Sequence, residues 1–244
     1  MSELGPEASK RHILEQGFEY LRPLRPRLFP VEAEVPESLH HLELRTALYQ
    51  LLSYFLRGRA TVGSDQFVYY DASDPKACVA PDVYLQLGSE HTDIGSWKTW
   101  ELGTPDLAIE IASRSDSPEE PWGRKLVRYH RLGVRELVRF DPRAAEQLRV
   151  WDYVEGDLAE RRVRPNSAVP CRVLGVWWVV VVHERWGPML RISRDPLGQI
   201  LIKNELEAEA EARQLEAEAR QTAEARVHEL EAELRYLRSG KSPE

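Results

Sequence analysis

Cysteine is scarce in this sequence, and long apolar segments are absent. Only two of the 244 residues are cysteines, Cys78 and Cys171, which lie far apart and lack the spacing of metal ligands. We therefore expect neither a disulfide framework nor a structural zinc site, and a reducing, cytoplasmic location fits best. The longest apolar run, 173–182, is half of the ~20 residues that a membrane-spanning helix needs, so we predict a buried strand and no membrane partner.

Motifs for export and for small-molecule cofactors are missing as well. The N-terminus lacks the basic and apolar pattern of a signal peptide, so export is not expected. The sequence contains no phosphate-cradling glycine loop, nucleophile elbow or zinc signature, so we expect no small-molecule cofactor.

Positive charge is outnumbered overall but concentrated in one segment. The chain has 33 Lys and Arg against 40 Asp and Glu, and this net charge of −7 argues weakly against nucleic acid as a partner. Residues 122–149, however, hold eight basic and only three acidic residues. This segment predicts either a face for a polyanion or a solvated helix face with salt bridges. The candidate nucleic-acid contacts are Arg124, Arg128, Arg131 and Arg135.

Composition divides the chain into three segments, of which 37–202 forms the main domain. Residues 1–36 are a proline-rich N-terminal extension, and 203–244 are a Glu- and Ala-rich tail. The main domain begins with an amphipathic helix capped by Ser38 and ending at Gly58, and continues with segments of strand-like and helical periodicity. We predict an α/β or α+β fold, with a mixed sheet flanked by helices. A second helix is predicted over 122–132, and strands over 60–62, 66–70, 79–87, 106–111, 136–140, 147–153, 173–182 and 189–192.

The tail is predicted to be one long helix, because Glu and Ala are strong helix formers. Val227, Leu230, Leu234 and Leu237 keep heptad spacing, but extending that seam backwards meets charged residues. Two alternatives therefore stay open: self-association through a coiled coil, which would make a homo-oligomer, and a solitary exposed helix.

Two acidic residues lie within apolar strands. In a strand, Leu107, Ile109 and Ile111 face one side, and Glu110 faces the other side together with the alanines that flank it. Asp82 lies in the apolar segment 79–85. A lone carboxylate of this kind is often an edge-strand residue. Two carboxylates on neighbouring core strands, however, repel each other unless a cation lies between them, and Mg²⁺ or Mn²⁺ is bound by one or two carboxylates with water and phosphate oxygens.

A lysine on the second predicted helix can complete this set. Lys125 shares a helix face with Tyr129, which borders the apolar stripe, so its ammonium can point back at the sheet; the ordinary alternative is a solvated surface lysine. Glu43, on the first long helix, is a possible auxiliary metal contact or a solvated residue. His40 and His41 are adjacent on that helix and diverge, so we do not expect them to share a metal.

Several short sequence motifs lie between residues 36 and 202. Each is weak alone, but their order along the chain is specific. The motifs are Pro81-Asp82, Pro105 to Ser113, Lys125 with Tyr129, Gly133 to Glu136, Asp141-Pro142, Leu174 to Val176 and Leu190 to Gly198. Together they resemble the Uma-two family of restriction endonucleases, within the PD-(D/E)XK nuclease superfamily. The resemblance implies a restriction-endonuclease-like fold with a four-stranded mixed core sheet, Mg²⁺ bound by Asp82 and Glu110, and Lys125 assisting the attacking water.

This chain departs from the superfamily pattern at two places. The usual lysine two residues after the glutamate is replaced by Ala112, and the resemblance implies that Lys125 on the following helix takes its role. Many relatives carry an acidic residue a few positions before this lysine, where this chain reads Pro118 to Trp122. Two hypotheses follow: a Mg²⁺-dependent endonuclease acting on DNA, and a catalytically weak nuclease-fold protein that binds or scaffolds through its coiled coil.

Overall fold

The computed structural model describes residues 38–88, 94–113, 122–164 and 167–238. These ranges contain both helices and strands, and the mixed α/β architecture confirms the predicted fold class. The predicted extension over 1–36 lies outside the described residues. The helices are α1 (Leu39–Phe55), α2 (Thr99–Leu102), α3 (Trp122–Leu132) and α4 (Glu205–Arg238). The strands are β1 (Ala60–Gly63), β2 (Val68–Tyr69), β3 (Cys78–Val79), β4 (Val83–Leu87), β5 (Trp97–Lys98), β6 (Leu107–Ile111), β7 (Glu136–Phe140), β8 (Leu148–Val154), β9 (Asp157–Arg161), β10 (Val169–Cys171), β11 (Val176–His183) and β12 (Gly187–Ser193).

The central sheet is mixed and has the strand order β1-β4-β6-β7-β8-β9. Strands β6 and β7 are parallel, as a crossover through α3 requires, and the other neighbours are antiparallel. The sheet is wider than the four-stranded core that the resemblance implies, because β8 and β9 continue it as an antiparallel meander. Strands β10, β11 and β12 form a second sheet, and β2, β3 and β5 a third.

Alternation along β6 divides the core between the two faces of the central sheet. Leu107, Ile109 and Ile111 pack with the buried leucines of α1 and with the second sheet. Ala108 lies on the opposite face, in the cluster that contains Tyr129 and Leu132 of α3. Burial of each large apolar side chain stabilises the fold by about 1.5–3 kcal/mol, so the two faces hold α1 and α3 firmly against the sheet.

Two strand predictions are wrong in part. The predicted strand 79–87 is split into β3 and β4, because Pro81 has no backbone N–H to donate and the chain bends at Asp82. The apolar run 173–182 overlaps β11, but it is not buried throughout, and Val182 is 83% exposed.

The tail forms α4, which begins with a reciprocal cap. Asn204 Oδ1 accepts from Glu207 N at 2.9 Å, and Glu207 Oε2 accepts from Asn204 N at 2.9 Å. Arg191 holds Glu207 with two bonds of 2.8 and 2.7 Å, which fixes the first turn to β12. The described part of α4 buries no residue. Among the described residues, no helix combines the length and apolar character needed to cross a membrane.

Candidate active site

The pairing of β4 with β6 brings two carboxylates together. These strands are antiparallel, with Val83 opposite Ile109. Continuing this register by one residue places Asp82 opposite Glu110, and directly opposite residues point to the same face of a sheet. Asp82 is 8% exposed and Glu110 is 4% exposed. The two predicted acidic residues therefore form a buried pair beside the first residue of β4.

Glu110 is held by two side chains from one face of α3. The Lys125 ammonium donates to Glu110 Oε2 and the Tyr129 hydroxyl donates to Oε1. Lys125 and Tyr129 are four residues apart, so they lie one above the other on the helix. Burial raises the pKa of Glu110 to about 7, against the opposing effect of the Lys125 charge, and the Asp82 charge raises it further.

Asp82 is fixed by contacts from three other segments. Its Oδ2 accepts from the Ile111 backbone N–H at 2.6 Å, and its backbone carbonyl accepts from the Ser64 hydroxyl at 2.7 Å. Its Oδ1 lies 2.9 Å from Nε2 of His41, on α1. From the sequence, His41 was considered only as a metal ligand shared with His40, and its contact with Asp82 was not predicted. Helical spacing could have predicted that His41 faces inward, because it precedes the buried Leu44 by three residues and so shares the inward face of α1.

Glu43 is not brought to the carboxylate pair. It lies two residues after His41, which is about 200° around the helix at ~100° per residue. Within the described ranges, Glu43 forms no hydrogen bond or ion pair with Asp82 or Glu110. Its auxiliary role stays a prediction.

The four arginines predicted to contact nucleic acid are exposed. Arg124, Arg128 and Arg131 follow the spacing of one helix face, next to the face that carries Lys125. Arg135 lies beyond α3 and pairs with Asp106 at 2.8 Å. Other arginines of the basic segment also have partners. Arg143 lies 3.5 Å from Asp141, and Arg149 binds Glu160 at 2.7 and 2.8 Å. The Arg139 guanidinium lies over the Trp122 ring, 4.9 Å from its centre. The excess charge is thus partly neutralised, and α3 keeps an exposed stripe of arginines.

Another buried carboxylate, Glu136, lies outside this site. It accepts from the Arg172 backbone N–H at 2.7 Å and from Trp178 Nε1 at 3.1 Å, and Arg161 Nη2 lies 3.5 Å away. Arg161 also forms two bonds to Asp152. In the sequence, Glu136 is one of the three acidic residues of the basic segment and ends the motif Gly133 to Glu136. Its contacts join the central sheet to the second sheet, which is a structural role.

The carboxylate pair offers the type of oxygen ligand that a hard divalent cation binds. Asp82 and Glu110 offer oxygen ligands, which Mg²⁺ and Mn²⁺ prefer. Burial raises the pKa of Glu110 because it disfavours the charged form. A bound cation would stabilise that charged form. The described part of the chain contains no group of three or more His, Cys, Asp or Glu able to hold a metal. Water and phosphate oxygens would therefore have to complete the coordination.

Comparison with known proteins identifies the family. The model of the Uma2 family, described as "putative restriction endonuclease", matches residues 31–182, which is more than half of the chain. The chain belongs to the Uma2 family. Membership confirms the resemblance seen in the sequence, supports a nuclease function and implies a nucleic acid substrate. The matched region contains the carboxylate pair, Lys125 and His41, and α4 lies beyond it.

Among solved structures, the Uma2 family chain is similar to a protein from Anabaena variabilis described as a "putative nuclease belonging to DUF820". The two are 14% identical, the TM-score is 0.42, and the similarity covers 59% of this chain and 78% of the other. No curated protein matches the chain.

Proposed function

We propose that this protein is a metal-dependent endonuclease that hydrolyses phosphodiester bonds in DNA. The observation that carries the proposal is the buried pair of Asp82 and Glu110 with Lys125 in direct contact with it. Asp82 and Glu110 would hold Mg²⁺ or Mn²⁺. When bound, such a cation supplies a water of lowered pKa and polarises the scissile phosphate.

The residues of α3 would act on the reacting phosphate and on Glu110. Lys125 places a fixed positive charge where the transition state gains negative charge, and it can orient the attacking water. Tyr129 holds the other oxygen of Glu110 and so keeps that carboxyl in one orientation. The exposed arginines next to this face would bind the DNA backbone, with Arg124, Arg128, Arg131 and Arg135 as candidates.

We further propose a homo-oligomer formed through α4, so that two sites can cut two strands. Heptad positions Val227, Leu230, Leu234 and Leu237 are 41–66% exposed, and a second copy of this chain is the partner their spacing fits. The domain division into 1–36, 37–202 and 203–244 is part of the same proposal.

Plasmid cleavage tests the proposed activity. Purified wild-type protein is incubated with supercoiled plasmid or single-stranded DNA and with Mg²⁺, Mn²⁺ or EDTA. We expect cleavage that requires metal, and a rate about 100- to 1,000-fold lower for Lys125→Ala, because a charge aimed at the transition state is lost. Asp82→Ala should remove metal-dependent cleavage.

The control for Lys125 is Lys203→Ala, since Lys203 is also paired with a glutamate, Glu211. This variant should cleave like the wild type. Full activity in both Asp82→Ala and Lys125→Ala would contradict the proposal.

A second candidate function is a nuclease-fold protein without useful catalysis, which binds or scaffolds through α4. The observation that favours it is that protein groups already contact every carboxylate oxygen of the pair: Lys125 and Tyr129 at Glu110, and His41 and the Ile111 N–H at Asp82. Protein groups alone can therefore hold this pair in place. Calorimetry with Mn²⁺ discriminates, because no heat and no change in melting temperature would favour this second function.

A further inference from the structure

His41 and Asp82 form a close contact between two elements that are distant in sequence. His41 Nε2 lies 2.9 Å from Asp82 Oδ1, and the side chains are only 13% and 11% exposed. The other carboxylate oxygen accepts from the Ile111 N–H at 2.6 Å, so a protein group lies against each oxygen of Asp82.

Helix α1 presents His41 from a rigid position. The His41 backbone N–H is capped by Ser38 Oγ at 3.2 Å, which fixes the first turn. One turn further along, Arg45 pairs with Asp65 at 2.5 Å, and Leu44 and the following leucines of this helix are buried in the core. A side chain on a packed element holds its partner more closely than a loop residue does.

Each of the two carboxylates is contacted by side chains from a different helix. Lys125 and Tyr129 on α3 contact Glu110, and His41 on α1 contacts Asp82. A carboxylate has about four lone-pair positions on its two oxygens, so each oxygen keeps a position for a cation after accepting one contact.

We propose that His41 is a positioning residue that orients the Asp82 carboxylate for a divalent cation. This inference rests on the proposed function, because it requires that Asp82 binds the metal. His41 acts through Asp82 and does not touch the substrate. Partners that orient a metal ligand change metal affinity when they are lost, whereas a purely structural contact changes only stability.

The test compares Mn²⁺ binding and thermal melting in four full-length proteins: wild type, His41→Leu, His41→Gln and His40→Leu. Binding is measured by calorimetry with MnCl₂, without DNA. We expect His41→Leu to weaken Mn²⁺ binding by about 10- to 100-fold. His41→Gln should recover most of that loss, because its amide nitrogen can reach Asp82 Oδ1 from the same position.

His40→Leu is the matched control, since His40 is the neighbouring histidine and contacts the Trp186 carbonyl at 2.8 Å, not Asp82. It should bind Mn²⁺ like the wild type. A His41→Leu protein that melts lower but keeps wild-type Mn²⁺ affinity would overturn the positioning role and leave the proposed nuclease intact. If His41→Leu does not fold, His41→Ala takes its place, and a folded His41→Ala protein with wild-type Mn²⁺ affinity would overturn the positioning role. Wild-type protein that binds no Mn²⁺ would overturn the proposed metal site itself.

Discussion

At the scale of single residues, the buried Glu110 carboxyl makes stability depend on pH. Its pKa is about 7 in the folded protein and ~4.3 in an unfolded chain. Between these values the folded state binds more protons than the unfolded state, so the free energy of unfolding falls as the pH rises from about 4.5 through 7. Glu110→Gln cannot titrate and should lack this component.

Melting in EDTA from pH 4 to 9 measures the effect. The difference in stability between Glu110→Gln and wild type should grow in favour of the variant up to about pH 7 and then stay constant. Exposed Glu184→Gln is the control and should follow the wild-type curve. Parallel curves for Glu110→Gln and wild type would show that burial does not raise the pKa of Glu110.

Sequence alone locates the residues whose signal is local. Glu110 is flanked by alanines within an apolar strand, which predicts its burial, and Lys125 and Tyr129 are spaced for one helix face. The contact of His41 with Asp82 joins residues 41 positions apart, and Glu136 meets Trp178 across 42 positions. No local pattern encodes such pairs, because they depend on how whole elements pack.

At the scale of secondary-structure elements, Arg161 is expected to stabilise the junction of two sheets. It lies on β9, bonds Asp152 on β8 and approaches Glu136 on β7. Arg161→Ala removes the buried cation that both carboxylates share and leaves Asp152 only the more exposed Arg172, so we expect the free energy of unfolding to fall by about 3–5 kcal/mol. Urea denaturation followed by tryptophan fluorescence measures this change.

Arg149→Ala is the matched control for Arg161. Arg149 also forms a two-bond pair with a carboxylate, Glu160, but its side chain is 33% exposed and that of Glu160 is 42% exposed. Exposed pairs contribute ~0–1 kcal/mol. Equal losses in the two variants would contradict a special role for the buried cluster.

Helix α3 is expected to supply the charge that binds the DNA backbone. In Arg128→Ala/Arg131→Ala, nonspecific DNA affinity should fall and the slope of log K against log salt should become shallower by about two, because ~0.9 counterions are released for each phosphate contact. Fluorescence anisotropy with a labelled duplex measures both. Arg213→Ala/Arg220→Ala removes the same charge from α4 and should leave the slope unchanged; equal effects would indicate that only net charge matters.

Elements were predictable where one period dominates the local sequence. The bounds predicted for α3 and β7 are those observed, and Ser38 caps α1 as expected. Strands β5, β9 and β10 were not predicted, because they are short or, like β9, carry charged residues at an outer edge of the sheet. Their backbone hydrogen bonds depend on partners elsewhere in the fold.

At the scale of the whole molecule, α4 is the surface through which two copies would associate. Its apolar heptad positions run from Val227 to Leu237. In a parallel, in-register pair, the flanking positions place Arg226 beside Glu231 of the other copy and Glu233 beside Arg238. Both contacts join opposite charges, so charge complementarity favours a second copy as the partner and a parallel arrangement.

Leu234→Glu should convert the oligomer to a monomer, because it places a charge in the middle of the seam. Sedimentation equilibrium over a range of concentrations measures the mass, and Leu215→Glu is the matched control, since Leu215 is on the same helix, 59% exposed and outside the heptad positions. The Leu237→Cys variant tests the relative direction of the two α4 helices. It should form an intermolecular disulfide under mild oxidation only if the helices are parallel. A wild-type protein that is monomeric at every concentration would show that α4 is a solitary helix, and the two sites of a double-strand cut would then have to be assembled on DNA.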